Sequence, residues 1–211
     1  MAFALQIRNN ASQDRLEKLI EARLQPGADK EAIDRRIWDL FGEEWAIMYT
    51  DLAGFSRQVA EFGIIHFLQT IYESQKLFVP CIDRYDGILL KVEADSMLVI
   101  FRNVRKAIDC AVRMQQSVKA YNKDKEDTEK ILLGVGLGFG QVLHIGDEDV
   151  FGAEVNAASK LGEDTAKAWE ILVTSAVRDA ALELPYVTFT PIGDTPPGAS
   201  GAYRMHYKVE V

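Results

Sequence analysis

The sequence predicts an α+β protein with a ferredoxin-like β-α-β-β-α-β core, an antiparallel sheet, extra C-terminal strands and two helices in front. Three observations predict it. Apolar residues recur twice at helical spacing before residue 43. From Trp45 onward, short period-two segments alternate with longer segments of period 3.6 in that order. The last quarter returns to short strands broken by turn residues. The chain has 211 residues, 48% of them hydrophobic and 27% charged, an ordinary balance for a folded protein. That length allows one substantial core with an appendage, divided into residues 1–43 and 44–211.

Each element has its own signal. Leu16, Leu19, Ile20 and Leu24 share one helical face before the stop signal Pro26-Gly27. A second helix starts after Asp29, a capping residue, and carries Ile33, Ile37, Leu40 and Phe41 up to Gly42. The apolar faces of this pair need cover from the main domain or from a second chain. Trp45 to Thr50 reads as a strand, and Asp51-Leu-Ala-Gly-Phe-Ser56 as the turn into a long helical region ending near Asp86-Gly87, with an interruption or kink at Pro80. Ile88 to Glu93 and Met97 to Phe101 are strands of a hairpin around Ala94-Asp95-Ser96. Val104 to Tyr121 is helical, with Ile108, Ala111, Met114 and Val118 on one side, and the charged run from Asn122 to Lys130 reads as a solvated loop.

Leu133, Val135, Leu137 and Phe139 alternate with Gly134, Gly136, Gly138 and Gly140, which is strand periodicity. It is not a dinucleotide-binding loop, because the required glycine spacing fails at Gln141 and no helix start follows. Glycine at every second position leaves one strand face bare. Two readings stay open there: a flat strand, or the close approach of another backbone, a partner chain or a ligand. A strand through Val142 to Ile145, a helix from about Gly152 to Thr165 and a strand at Ile171 to Thr174 follow.

Composition excludes several functions. A formal charge of −8 opposes nucleic acid and anionic lipid. No apolar stretch reaches the roughly 20 residues of a membrane span, and the N-terminus lacks the order of a secretory signal, so the expected location is cytoplasmic. Cys81 and Cys110 are the only cysteines and read as reduced packing residues. His66, His144 and His206 have no second histidine or cysteine at zinc-ligand spacing.

Two carboxylates stand apart, Asp51 and Asp95, each placed in a turn at the end of a strand. Such a position can present a carboxylate together with backbone groups, here those of Leu52, to a hard cation such as Mg2+ or Mn2+. Directly after Asp51, Gly54, Phe55 and Ser56 form a small-residue turn opening a helix, whose free amides suit a triphosphate.

The segments Tyr49-Thr-Asp51-Leu-Ala-Gly-Phe-Ser56, Lys91-Val-Glu-Ala-Asp95 and Asp149-Val-Phe-Gly152-Ala-Glu-Val-Asn156-Ala-Ala-Ser-Lys160 resemble, in order and approximate spacing, the motifs of class III adenylate and guanylate cyclases. The resemblance covers roughly Trp45 to Thr174. It implies that Asp51 and Asp95 hold two metal ions per site, Mg2+ or Mn2+, and that Lys91 and Asp149 select the purine, favouring ATP over GTP. It further implies that Asn156 orients the ribose and that a homodimer shares the site, the metal aspartates of one copy facing the purine and ribose residues of the other. Three departures stand out. Lys160 occupies the place of an arginine that stabilises phosphate charge, and lysine lacks its planar forked geometry. Ala94 replaces a glycine before the second aspartate. Gly198 to Arg204 offers no clear match for a phosphate-binding lysine. Beside an adenylate cyclase, the departures leave open a degenerate cyclase-like domain that binds nucleotide or only a partner. A diguanylate cyclase would need a different hairpin from Glu93-Ala94-Asp95-Ser96.

Overall fold

The computed structural model describes residues 11–54, 63–147 and 149–208. Eight strands form one sheet: β1 (Gly42–Leu52), β2 (Ile88–Glu93), β3 (Ser96–Phe101), β4 (Leu133–Ile145), β5 (Asp149–Phe151), β6 (Ile171–Thr174), β7 (Val187–Pro191) and β8 (Ala202–Tyr207). Their order is β2-β3-β1-β4-β6-β8-β7, with β5 paired to β4. The first four neighbours carry the ferredoxin-like order and are all antiparallel. The C-terminal strands extend that core through β6, which runs parallel to β4. The sheet is therefore mixed at that one join, and antiparallel elsewhere.

The helices are α1 (Ala11–Leu24), α2 (Lys30–Phe41), α3 (Ile64–Arg84), α4 (Val104–Tyr121), α5 (Ala153–Ser159) and α6 (Ser175–Ala180). Among the described residues none is long and apolar enough to cross a membrane. On one sheet face α3 and α4 bury Phe78, Ile82, Ile108, Ala111 and Met114 against Met48, Val99, Phe101 and Val135. Asn103 caps α4 by accepting from the Arg105 and Lys106 amides, at 2.8 and 3.4 Å. The other face carries Trp45, Ile47, Leu98 and Ile100 beneath α5, through Val155 and Ala158. Of the N-terminal pair, Leu19, Ile37 and Phe41 pack on Ile145 of β4, and Arg23 grips Asp34 at 2.6 and 3.1 Å. The main domain thus takes part of their apolar surface, while Ile20, Leu24, Trp38 and Leu40 stay exposed.

Three sequence expectations need correction. Pro80 does not interrupt α3, which runs through it. The carbonyl that loses its donor belongs to Lys76, and both residues lie on the exposed side, where water can replace the bond. The helix ends at Arg84, near the expected Asp86-Gly87, where Asp86 adopts φ 55° and the Gly87 amide donates to the Ile82 carbonyl at 3.0 Å. The segments 133–139 and 142–145 are one continuous 13-residue strand. The helix expected over 152–165 is α-helical only to Ser159, and Lys160–Thr165 forms a π-helical turn.

The glycines of β4 also find their reason. A β-carbon on Gly136 would lie 2.2 Å from the Ala158 carbonyl oxygen and 2.3 Å from the Gly162 nitrogen, and one on Gly138 would lie 2.4 Å from the Glu154 carbonyl oxygen. The approaching backbone is the chain's own α5 and π turn. Glu154 fastens the arrangement, accepting from the Phe139 amide at 3.1 Å and from the Thr174 hydroxyl at 2.6 Å.

Candidate active site

β1 alternates strictly, so Trp45, Ile47, Tyr49 and Asp51 share the face covered by α5. Asp51 lies one step from the end of β1, across from Gly134, where the sheet opens. The β2–β3 hairpin brings the second carboxylate to it. Its turn is Ala94-Asp95 alone, with Ser96 already in β3, and Ala94 takes φ 52°, a left-handed conformation that costs a β-carbon residue about 1 kcal/mol or more relative to glycine.

The two carboxyl groups converge, although they lie 44 residues apart in sequence. Ser96 Oγ donates to Asp51 Oδ1 at 3.4 Å. Burial, and then repulsion from Asp95 and Glu163, raises the Asp51 carboxyl to about 6. Burial also raises Asp95, opposed by hydrogen bonds from its own amide, Asp51 and the Leu52 amide. The Leu52 side chain points into the core on the opposite face, so only its backbone reaches this cluster. Two half-buried acids that resist ionisation together form a site where a divalent cation relieves the repulsion. Among the described residues no three His, Cys, Asp or Glu side chains form a metal-holding group. A hard cation here would therefore complete its shell with backbone carbonyl, water or ligand phosphate oxygens, as magnesium commonly does.

Lys91 and Asp149 also come together, from β2 and β5. Lys91 Nζ lies 2.6 Å from Asp149 Oδ2 and 4.0 Å from Glu93 Oε1. A backbone irregularity makes this possible. Leu89 pairs with Val99, but Lys91 pairs with Leu98, so an extra residue at Leu90 bulges the strand. Without it Lys91 would face α3; with it the amine turns to the Asp149 side. The Asp149 carboxylate also accepts from the Val150 amide at 3.0 Å. A small cavity of 60 Å³ lies between this pair and the Asp51 region, lined by Tyr49, Lys91, Glu93, Ser96, Leu98 and Glu163.

The remaining candidates sit apart. Asn156 is exposed on α5. Lys160 begins the π turn and pairs with Asp164 at 2.5 Å, both more than half exposed. Among the described residues, no hydrogen bond or ion pair joins Asn156 or Lys160 to Asp51 or Asp95. Gly54 follows the first carboxylate at φ 93° with nothing within 4 Å of a would-be β-carbon, so the position asks for glycine's conformation and not its size. Phe55 and Ser56 lie outside the described residues.

Sequence reading missed Glu163. The π turn places it beside Tyr49 and the two aspartates, where its carboxylate accepts from the Ser159 hydroxyl at 2.5 Å. Gly162 makes that approach possible, since a β-carbon there would meet the Tyr49 carbonyl oxygen at 2.8 Å. The signal available in sequence was Gly162 itself, a residue with no purpose in an exposed helix.

Comparison with known proteins identifies the family and the fold. The family model for the adenylate and guanylate cyclase catalytic domain matches residues 42–205. "Putative adenylate cyclase 3" of Rhizobium meliloti (strain 1021) is 29% identical over 132 residues, covering 63% of this chain and 21% of that protein. The serine/threonine-protein kinase pkn2 of Myxococcus xanthus is 26% identical over 161 residues, covering 76% of this chain and 19% of that protein. The chain thus spans about a fifth of the length of these curated relatives. Among solved structures, an adenylate/guanylate cyclase/hydrolase from Silicibacter pomeroyi superposes with TM-score 0.69 at 25% identity, covering 78% of this chain and 95% of that one. The adenylyl cyclase CyaB of P. aeruginosa gives TM-score 0.64 at 18% identity, covering 81% and 95%. The guanylate cyclase domain of RhGC from Catenaria anguillulae, solved with GTP, gives TM-score 0.64 at 16% identity, covering 79% and 98%.

Proposed function

Because this chain belongs to the adenylate and guanylate cyclase catalytic domain family, we propose that it is an adenylate cyclase, converting ATP to 3′,5′-cyclic AMP and pyrophosphate. The observation that carries the reading is the convergence of Asp51 and Asp95 in one cleft, with the Lys91–Asp149 pair beside it. In this reading Asp51 and Asp95, with the backbone of Leu52, hold two divalent cations, Mg2+ or Mn2+. When bound, these supply charge neutralisation on the phosphates and acidify the ribose 3′-hydroxyl.

The chain's own groups do the rest. Lys91, whose ammonium can only donate, faces a ring nitrogen of the purine, and Asp149, an acceptor, takes the exocyclic amine of adenine; guanine presents an oxygen there, which Asp149 repels. Asn156 holds the ribose so that the 3′-oxygen lies in line with the α-phosphorus and the pyrophosphate leaves on the far side. Lys160 offsets the negative charge that grows on the phosphates. The amides after Asp51, from Gly54 through Phe55 and Ser56, cradle the triphosphate. No covalent intermediate forms on the protein.

The exposure of Asn156 and Lys160, away from the carboxylates, supports a site completed by a second copy of the chain. The working unit is then a homodimer with two equivalent sites. In this reading residues 44–211 form the catalytic domain, which β1 enters from Gly42, and the helices α1 and α2 are an appendage to it. We place the protein in the cytoplasm, acting on ATP and on neither nucleic acid nor membrane. One observation favours a second reading: Lys160 is already engaged by Asp164. A lysine held that way fits a regulatory domain that binds nucleotide with little turnover.

Incubating the purified chain with Mn2+ and either ATP or GTP, with cyclic products identified by mass spectrometry, separates these. The proposal expects cyclic AMP as the main product. ATP binding with no cyclic nucleotide from either substrate favours the regulatory domain.

A further inference from the structure

The sheet face opposite the candidate active site carries a second cleft, of 460 Å³, which the proposed reaction does not use. Its lining comes from three places: α4 supplies Arg105, Asp109, Val112, Arg113 and Gln116, the end of α3 supplies Tyr85, and the chain around β7 and β8 supplies Pro185, Tyr186 and Lys208. The placement is structural. Tyr186 donates its hydroxyl to Asp109 Oδ1 at 2.6 Å, which fixes its ring as one wall. Burial and then Asp109 push that phenol up to about 12, so the wall stays neutral. The Lys208 amide donates to the Tyr186 carbonyl at 2.9 Å, which brings the lysine to the rim.

Charge is what distinguishes this cleft. Asp109 is the only acid lining it among the described residues, and Asp109 is occupied by Tyr186, with Arg105 at 3.7 Å. Among the described residues neither the Arg113 guanidinium nor the Lys208 ammonium has an ion-pair partner. Two exposed cations without an ion-pair partner among the described residues therefore face one concavity on a chain of formal charge −8. Like charges crowded around a cleft repel one another, and a bound anion removes that repulsion while gaining charge-assisted hydrogen bonds. The aromatic and apolar walls of Tyr85, Tyr186, Val112 and Pro185 offer a flat ring a surface, and the volume lies in the range of small-molecule sites.

We infer that this cleft binds a small organic phosphate carrying a planar ring, of the nucleoside monophosphate class. The phosphate sits among Arg105, Arg113 and Lys208, and the ring lies between the two tyrosines. The inference is independent of turnover at the other face.

Calorimetric titration of the full chain in EDTA tests it, with adenosine 5′-monophosphate, inorganic phosphate and adenosine as separate probes. The monophosphate should bind saturably and more tightly than either fragment. The Arg113→Glu/Lys208→Glu double variant should weaken it by roughly tenfold or more, while Arg113→Lys, which keeps the charge, retains most of the affinity. Lys91→Ala, on the opposite face, should leave it unchanged. The inference is overturned if the double variant, folded by circular dichroism, binds like the parent, or if Lys91→Ala alone abolishes binding. It is equally overturned if inorganic phosphate or adenosine matches the monophosphate, or if no probe binds.

Discussion

The two halves of the candidate active site are built differently. Asp51, Asp95, Lys91 and Asp149 are set by the sheet: a strand end, a two-residue hairpin turn, a bulge and a short added strand fix all four. Asn156 and Lys160 ride on a seven-residue helix and a π turn, exposed, with the lysine tied to a neighbour on the same turn. All four are held in place within one chain, whereas Asn156 and Lys160 face outward, which fits a site where the carboxylates of one copy meet the purine and ribose residues, Lys91, Asp149 and Asn156, of the other. That contrast is the physical reason to read the site as shared between copies.

The largest effect should come from the sheet half. Asp51→Asn should lower cyclic AMP formation by roughly a thousandfold or more and abolish Mn2+ binding followed by electron paramagnetic resonance. Unchanged Mn2+ affinity would remove the carboxylate pair from the site. Protons compete with the cation for Asp51, which sits near 6. Mn2+ affinity should therefore climb as pH rises from 4 and level off above about 6, and a flat profile would contradict the assignment. Lys91→Ala should come next, raising KM for ATP by roughly tenfold to a hundredfold and narrowing the preference over GTP, with a smaller change in kcat. An effect confined to kcat would point to a structural role.

A smaller gain is expected from the helix half. Lys160→Arg restores a forked donor and should raise kcat by roughly tenfold, well below the full worth of a phosphate-stabilising arginine. A loss instead would show that the turn is fitted to lysine. Smallest is Ala94→Gly, which relieves the left-handed turn and should add about 1 kcal/mol of stability, or about 2–4 °C in Tm, with the active site intact. A lower Tm would mean that flexibility gained by the unfolded chain outweighs the relief.

Much of the sheet half was legible in sequence, because strand ends and hairpin turns announce themselves through period-two patterning and turn residues. Asp51 and Asp95 stand out through such signals, and the helix from Val104 to Tyr121 through its helical spacing of apolar residues. What stayed hidden depends on backbone geometry that side-chain patterns do not encode. The bulge at Leu90 that turns Lys91, the three-residue strand carrying Asp149 and the parallel join of β6 to β4 are pairings between distant segments. The bare glycine face of β4 was visible, but its occupant, the chain's own α5 and π turn, was one of several that the pattern allowed. Pro80 suggested a break that solvent exposure makes unnecessary.

The most direct test of the divided site mixes two inactive proteins. Asp51→Ala spoils the sheet half and Asn156→Ala the helix half, so a mixed dimer would carry one site with both defects and one with neither. After subunit exchange, verified by native mass spectrometry, the mixture should regain about a quarter of wild-type cyclase activity, since half of the dimers are mixed and each has one of its two sites intact. No recovery in mixtures that demonstrably contain mixed dimers would contradict the account.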